Sequence, residues 1–165
     1  MSAHFAAPDA REFSTDIGYQ DAGCALHGCT TARISEVLLL LGDIEGALAY
    51  TSEDVMSMNL MAPAHLSSGR VRGRALAAKG EPAAATACLE AAAAGARELG
   101  LFMHELQAVL ALVSCSPGGA GVDATARLRD LVRRLDGTPA QIAALLRDRD
   151  GNLPVDLDAL LRDSL

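Results

Sequence analysis

Aromatic side chains are scarce in this 165-residue chain: 3% of the residues, with no tryptophan, two tyrosines and three phenylalanines. Sheet cores draw on aromatic and β-branched side chains, so an all-β fold is poorly supplied. Positive charge is also lacking. The net charge is −7, and residues 1–66 hold only Arg11 and Arg33 against nine acids. Residues 67–122 hold five bases and four acids, and the remainder is nearly balanced. No basic patch dominates, which excludes electrostatic capture of nucleic acid or of an anionic membrane as the basis of function. Long apolar runs are missing too. The richest alanine segment, Ala83–Ala96, is interrupted by Glu90 and is too short to span a bilayer. Met1–Ala10 has no basic region followed by an apolar stretch, so a secretory signal is not expected. A cytoplasmic location follows, with Cys24, Cys29, Cys88 and Cys115 expected as reduced thiols rather than disulfides.

What the chain does have is aliphatic helix-forming material. Half of it is hydrophobic, and alanine and leucine dominate that half. Both are strong helix formers, and alanine lets helix backbones approach closely. The length suits one domain with a real core. Residues 1–30 mix Gly, Asp, Ser, Thr and His without a clear period and read as an irregular arm with room for a short helix. From Thr31 the pattern turns helical. Val37–Leu41 stops at Gly42-Asp43, and a second helix spans about Ile44 to Met61, stopping before Pro63. A third runs from about Leu66 to Lys79. A fourth covers about Pro82 to Leu99, with Pro82 suited to its first turn, where a missing N–H costs nothing. A fifth covers Leu101 to about Ser114, and its partner is expected over Asp123–Asp136.

Two junctions repeat. Gly42-Asp43-Ile44-Glu45-Gly46-Ala47 and Gly80-Glu81-Pro82-Ala83-Ala84-Ala85 share the form Gly-acid-x-x-x-Ala, 38 residues apart (Gly42 to Gly80). The glycine permits a tight reversal, the acid complements the next helix's N-terminal dipole, and the alanine sits where two helices nearly touch. A period in this range is the mark of stacked helical hairpins. Gly73, Gly80, Ala85 and Ala92, with Leu76 and Leu89, resemble the small and large positions of a tetratricopeptide repeat. Ser35, Gly42 and Ala47 match in part, but Asp54 stands where a small residue is expected. The consensus aromatic positions are absent, and the period exceeds the family's usual ~34 residues. The resemblance implies an all-α fold of stacked antiparallel helical hairpins over residues 31–136, closed by a C-terminal helical cap over 137–165.

Within that cap, Asp148-Arg149-Asp150-Gly151-Asn152-Leu153-Pro154-Val155-Asp156-Leu157 resembles the turn that opens an ankyrin repeat. One such unit cannot bury its own apolar face. A helix pair in which Ile142, Leu145, Leu146, Leu157, Leu160 and Leu161 dock on the array is the expectation, and an ordinary helix-turn-helix with an Asp-Gly turn serves equally well.

Reactive chemistry finds little support. Cys24, His27 and Cys29 offer three soft ligands within six residues, but zinc sites generally use four and no second pair lies nearby. Asp148-x-Asp150-Gly151-Asn152 lacks the glycine at position six and the glutamate at position twelve that a calcium loop needs. Gly118-Gly119-Ala120-Gly121 lacks the Gly-Lys-Ser/Thr ending of a phosphate loop. Cys115 falls three turns beyond His104 and Glu105, too far for a nucleophile and its base. Neither enzyme nor cofactor is expected.

The most informative group is on the third helix. Arg70 and Arg74 are four apart and share a face, while Arg72 points elsewhere. The tetratricopeptide resemblance implies that Arg70, Arg74, Ala77 and Ala78 line a concave groove. Glu36, Leu39 and Leu40 come from the preceding repeat, and Glu105 and Val109 from the following one. Arginine suits bidentate grip on a carboxylate. The expected function is non-catalytic binding of a protein or peptide with an acidic group near Arg70 and Arg74, unless both arginines are solvated or paired with Glu36. The alternative is a regulatory or sensor module that self-associates or binds a small ligand, with Ala83–Ala96 as the self-association face. A fragment of a larger repeat protein is a third reading.

Overall fold

The computed structural model describes residues 22–57, 61–115 and 122–146. All regular structure among them is helical: α1 Ala22–Leu40, α2 Ile44–Tyr50, α3 Glu53–Ser57, α4 Ala62–Lys79, α5 Pro82–Glu98, α6 Phe102–Cys115, α7 Val122–Arg133 and α8 Pro139–Leu146.

Three reversals are built alike. Gly42, Gly80 and Gly100 have φ of 81°, 88° and 67°, and they are the positive-φ residues of the described chain. At each, the glycine amide donates to the carbonyl three residues back: Leu39, Ala77 and Arg97. The next amide reaches five back, from Asp43 to Leu38, Glu81 to Leu76 and Leu101 to Ala96. This pairing satisfies the last carbonyls of a helix, and it needs the left-handed backbone that glycine adopts freely. The two acids that follow act differently. Asp43 caps α2 by accepting from the Gly46 amide at 2.9 Å. Glu81 makes no side-chain cap, and Pro82 opens α5. Glu81 instead pairs with Lys79, which also reaches Glu45 of α2 at 3.2 Å.

The helix expected over residues 44–61 is broken at Thr51-Ser52. The Thr51 hydroxyl donates back to the Ala47 carbonyl at 2.9 Å, and the Thr51 carbonyl is taken by Arg72 of α4 at 2.9 Å. Ser52 then accepts from the Val55 amide, and α3 begins. Hydroxyl side chains that bond their own backbone compete with helix continuation in this way. Two other boundaries shift outward. α1 begins at Ala22, inside the segment read as an arm, and α4 begins at Ala62 with Pro63 in its first turn.

α4 and α5 are antiparallel and pack through small residues. A Cβ built on Gly95 lies 3.0 Å from Leu66, one on Gly69 lies 3.6 Å from Ala92, and one on Gly73 would strike Leu89 at 2.5 Å. The Cys88 thiol donates to the Gly69 carbonyl at 3.2 Å across the same seam. Such close approach is what alanine and glycine on facing helices permit. Each helix packs on near neighbours in sequence: α1 on α2 and α4, α2 on α4, α4 on α5 and α6, α5 on α6, and α6 on α7.

The largest cluster of buried side chains joins α5 through α8 and includes Leu106, Val109, Leu128, Val132, Ile142 and Leu146. Each leucine removed from water there contributes about 1.5–3 kcal/mol. α8 is fastened by a capping box: the Thr138 hydroxyl accepts from the Gln141 amide, while Gln141 Oε1 accepts from the Thr138 amide at 2.8 Å. Of the expected cap leucines, Leu146 is fully buried and Leu145 is about half exposed. Leu157, Leu160, Leu161 and the ankyrin-like turn lie outside the described residues, as does the Gly118–Gly121 connector.

Candidate functional site

The buried seam between α1 and α4 gathers the first polar cluster. Along α1, Thr31, Ala32, Ser35 and Glu36 turn inward, whereas Arg33, Val37 and Leu40 are exposed, as is Leu41 just past its end. Glu36 is only 7% exposed, and it receives three guanidinium groups. Arg70 donates to Oε1 at 3.3 Å, Arg74 stands 3.7 Å from the same oxygen, and Arg33 stands 3.7 Å from Oε2. Burial is the main influence lowering the pKa of Arg70, opposed by the Glu36 charge. A carboxylate at that point offsets part of the cost of holding a guanidinium there. Among the described residues, one acid stands against three bases at this point. Arg33 and Arg74 are the accessible members, with side chains 76% and 32% exposed.

Arg33 also borders an apolar cleft of about 250 Å³ with Ile34, Val37 and Leu38. Val37, Leu40 and Leu41 are exposed large hydrophobics, Leu41 at 77%. The Arg33 guanidinium therefore stands directly beside an apolar surface on α1.

The remaining residues expected to share this wall divide into two sets. Leu39 and Ala77 are partly buried, and Leu40 and Ala78 are exposed near the C-terminal ends of α1 and α4. Val109 is fully buried in the α5–α8 core, where a ligand in a surface groove does not reach it. Glu105 is drawn to a different seam. Its Oε1 accepts from Arg97 Nε of α5 at 3.1 Å and from Arg127 of α7, whose Nε and terminal nitrogen lie 3.1 and 3.0 Å away. Arg127 also donates to the Ala93 carbonyl at 3.1 Å and to Glu90 at 3.5 Å, so all three of its nitrogens are engaged. Glu36 and Glu105 thus serve separate helix pairs.

This second seam opens as a cleft of about 400 Å³ lined by Arg97, Glu105, Asp123, Ala126, Arg127, Asp130, Leu131 and Arg134. Arg134 lies over the Phe102 ring, 4.8 Å from its centroid. Of these residues the sequence singled out Glu105 alone. Arg127 and Arg134 carry the signal that was available, as bases on a strongly amphipathic helix or just past its end. Their partners on α5 and α6 are distant in the chain.

Among the described residues, no three His, Cys, Asp or Glu side chains converge on a metal position. Cys24, His27 and Cys29 fall on α1, but their side chains lie outside the described ones. Cys88 and Cys115 are free thiols, and burial pushes both above the ordinary thiol range. Cys115 ends α6 eleven residues beyond His104 (115 − 104), about 16 Å along the axis. No described helix is long and apolar enough to cross a membrane. No protein-family model matches the chain, and comparisons with curated proteins and with solved structures likewise find no match.

Proposed function

We propose that this chain is a non-catalytic interaction module, a tetratricopeptide-like stack of helical hairpins that binds a partner peptide at the exposed edge of α1 and α4. The observation that carries this reading is the junction of unbalanced positive charge with apolar surface. Among the described residues, three guanidinium groups surround the carboxylate of Glu36, and Arg33 among them borders the Ile34, Val37 and Leu38 cleft. A peptide with an aliphatic side chain beside an acidic group complements both halves. Contact order along the chain, each helix on its near neighbours, supports the stacked arrangement.

Arg70 has a structural duty as well, since its guanidinium is mostly buried against Glu36. Arg33 and Arg74 are the members free to grip a ligand, by bidentate bonds to a carboxylate. The test is selection of random dodecapeptides on the immobilised chain, repeated with Arg33→Glu/Arg74→Glu after circular dichroism shows equal helicity. The reading expects enrichment of Asp or Glu next to Leu or Ile, lost in the double variant. Selected peptides that bind both proteins equally would overturn it.

The exposed Val37, Leu40 and Leu41 favour a second reading, in which two copies pair through α1. Light scattering separates the two, because self-association gives a mass that rises with concentration and falls with Leu41→Glu.

A further inference from the structure

Methionine is unevenly placed in this chain. Of the five in the sequence, three fall within six residues, as Met56-Ser57-Met58-Asn59-Leu60-Met61, and His65 follows four positions later. Met58 lies outside the described residues and is not counted among the ligands. Met56, Met61 and His65 stand at the corner where α3 gives way to α4. The His65 amide donates to the Met61 carbonyl at 3.1 Å, so these two residues are one helical turn apart. At that spacing side chains are neighbours, about 5–6 Å between Cβ atoms in a regular helix. The His65 ring crosses to the end of α3, where Nδ1 stands 3.4 Å from the Met56 carbonyl oxygen, nine residues back in the sequence.

That contact fixes the ring. A carbonyl oxygen only accepts, so Nδ1 carries the proton, and in the neutral imidazole Nε2 keeps its lone pair. Metal-binding histidines are held in the same way, one nitrogen donating to a backbone carbonyl and the other left for the ion. Met61 and His65 are exposed and Met56 is half-buried, so an ion reaches the corner from solvent.

The donors decide which ion. Two thioethers and one imidazole are all neutral, and none of them is a hard oxygen. Magnesium and calcium take oxygen ligands, and zinc sites are built from thiolate, imidazole or carboxylate. Thioether sulfur selects copper(I). Glu53 and Asp54, in the first turn of α3, add negative charge close by in the chain. No Lys or Arg lies between Arg33 and Arg70 in the sequence.

We propose that Met56, Met61 and His65 form a copper(I) site, with the two thioether sulfurs and His65 Nε2 as ligands. The site is separate from the α1–α4 edge and does not depend on the peptide-binding reading.

The probe is silver(I), which shares the soft-ligand preference of copper(I) and does not oxidise in air. The full chain, labelled at methionine methyls and histidine ring nitrogens, is titrated with silver nitrate in chloride-free buffer and followed by NMR. Thiols would take silver first, so the titration uses Cys24→Ala/Cys29→Ala/Cys88→Ala/Cys115→Ala after circular dichroism shows equal helicity. Should that variant lose helicity, the unsubstituted chain is titrated past saturation of its thiols and the same signals are read. Saturable shifts of the Met56 and Met61 methyls and of His65 Nε2 are the expected result, with the Met103 methyl unmoved. Met61→Leu, nearly volume-conserving, and His65→Gln should each weaken binding at least tenfold. Met56 and Met61 methyls that stay in place at millimolar silver overturn the proposal. So does a Met103 methyl that shifts at the same concentration, the mark of an adventitious ion only, or silver binding unaffected by both variants.

Discussion

The side chain of Leu89 fills the space that any residue larger than glycine would need at position 73. A Cβ on Gly73 would sit 2.5 Å from Leu89 Cγ, 2.7 Å from Cδ2 and 3.2 Å from the Ala85 carbonyl oxygen. Leu89 is 1% exposed, so it has nowhere to move. Gly73→Ala is therefore expected to destabilise the fold by about 1–3 kcal/mol, the usual cost of overpacking. Gly69, one turn earlier on the same seam, has only the Ala92 methyl at 3.6 Å, an ordinary contact. Gly69→Ala should stabilise by about 0.5–1 kcal/mol through helix propensity alone. Urea denaturation of the two variants should move the midpoint in opposite directions. A shared direction would mean that the α4–α5 seam is packed differently.

Removing the Glu36 carboxylate strands a mostly buried guanidinium. Glu36→Gln is expected to lower stability by about 2 kcal/mol, because Arg70 loses a charged partner and Arg33 and Arg74 lose their shared counterion. Pairing it with Arg70→Met should recover most of the loss, since the uncompensated charge is then gone. Thermal melts of the single and double variants check this, and a double variant no better than Glu36→Gln would assign the damage to packing.

Gly80 has φ of 88° with open space around its missing Cβ. Gly80→Ala thus pays only for the left-handed backbone, about 1–2 kcal/mol. D-Alanine introduced at the same position by semisynthesis should restore stability to at least the glycine level. A loss with D-alanine equal to that with L-alanine would show a steric cause instead.

The half-buried thiols give an alkaline signature. Burial raises Cys88 and Cys115, opposed by the charges of Arg72 and Arg74 respectively. The folded state therefore holds these protons more tightly than the unfolded chain. Their contribution is fully present below the ordinary thiol value of 9.0 and is lost as pH rises through the folded values. Lys79, raised by Glu45 and Glu81, adds to the same alkaline loss. Urea midpoints should fall above pH 9, and Cys88→Ala/Cys115→Ala should flatten part of that fall. Iodoacetamide at pH 8 should label the native thiols more slowly than the unfolded ones.

The helices were legible where a single local signal governs them. Glycine after an apolar run ended α1, α4 and α5 as expected, because the left-handed turn depends on one residue and the hydrogen bonds beside it. The break at Thr51 depends on Arg72, 21 residues away, and periodicity alone does not contain that. Gly73, Ala85 and Ala92 lie buried along the α4–α5 seam, where only small side chains let two helices meet so closely. The arginine–glutamate clusters were half legible. Arg70 and Arg74 share a face with Glu36 opposite, as i,i+4 spacing requires. Glu105 turns to Arg97 and Arg127, 8 and 22 residues away, partners that spacing along α6 alone does not contain, and the register of Val109 faces the core rather than a groove.

The nearest-neighbour packing of the helices has a consequence for how the molecule opens. α4 and α5 are flanked on both sides, whereas α1 has no earlier described helix against it and α8 follows at the far end of the described chain. Backbone amides should accordingly exchange with deuterium on a gradient, slowest in the middle pair and faster toward either end. A peptide bound at the α1 edge would slow exchange in α1 and flatten the gradient at that end alone.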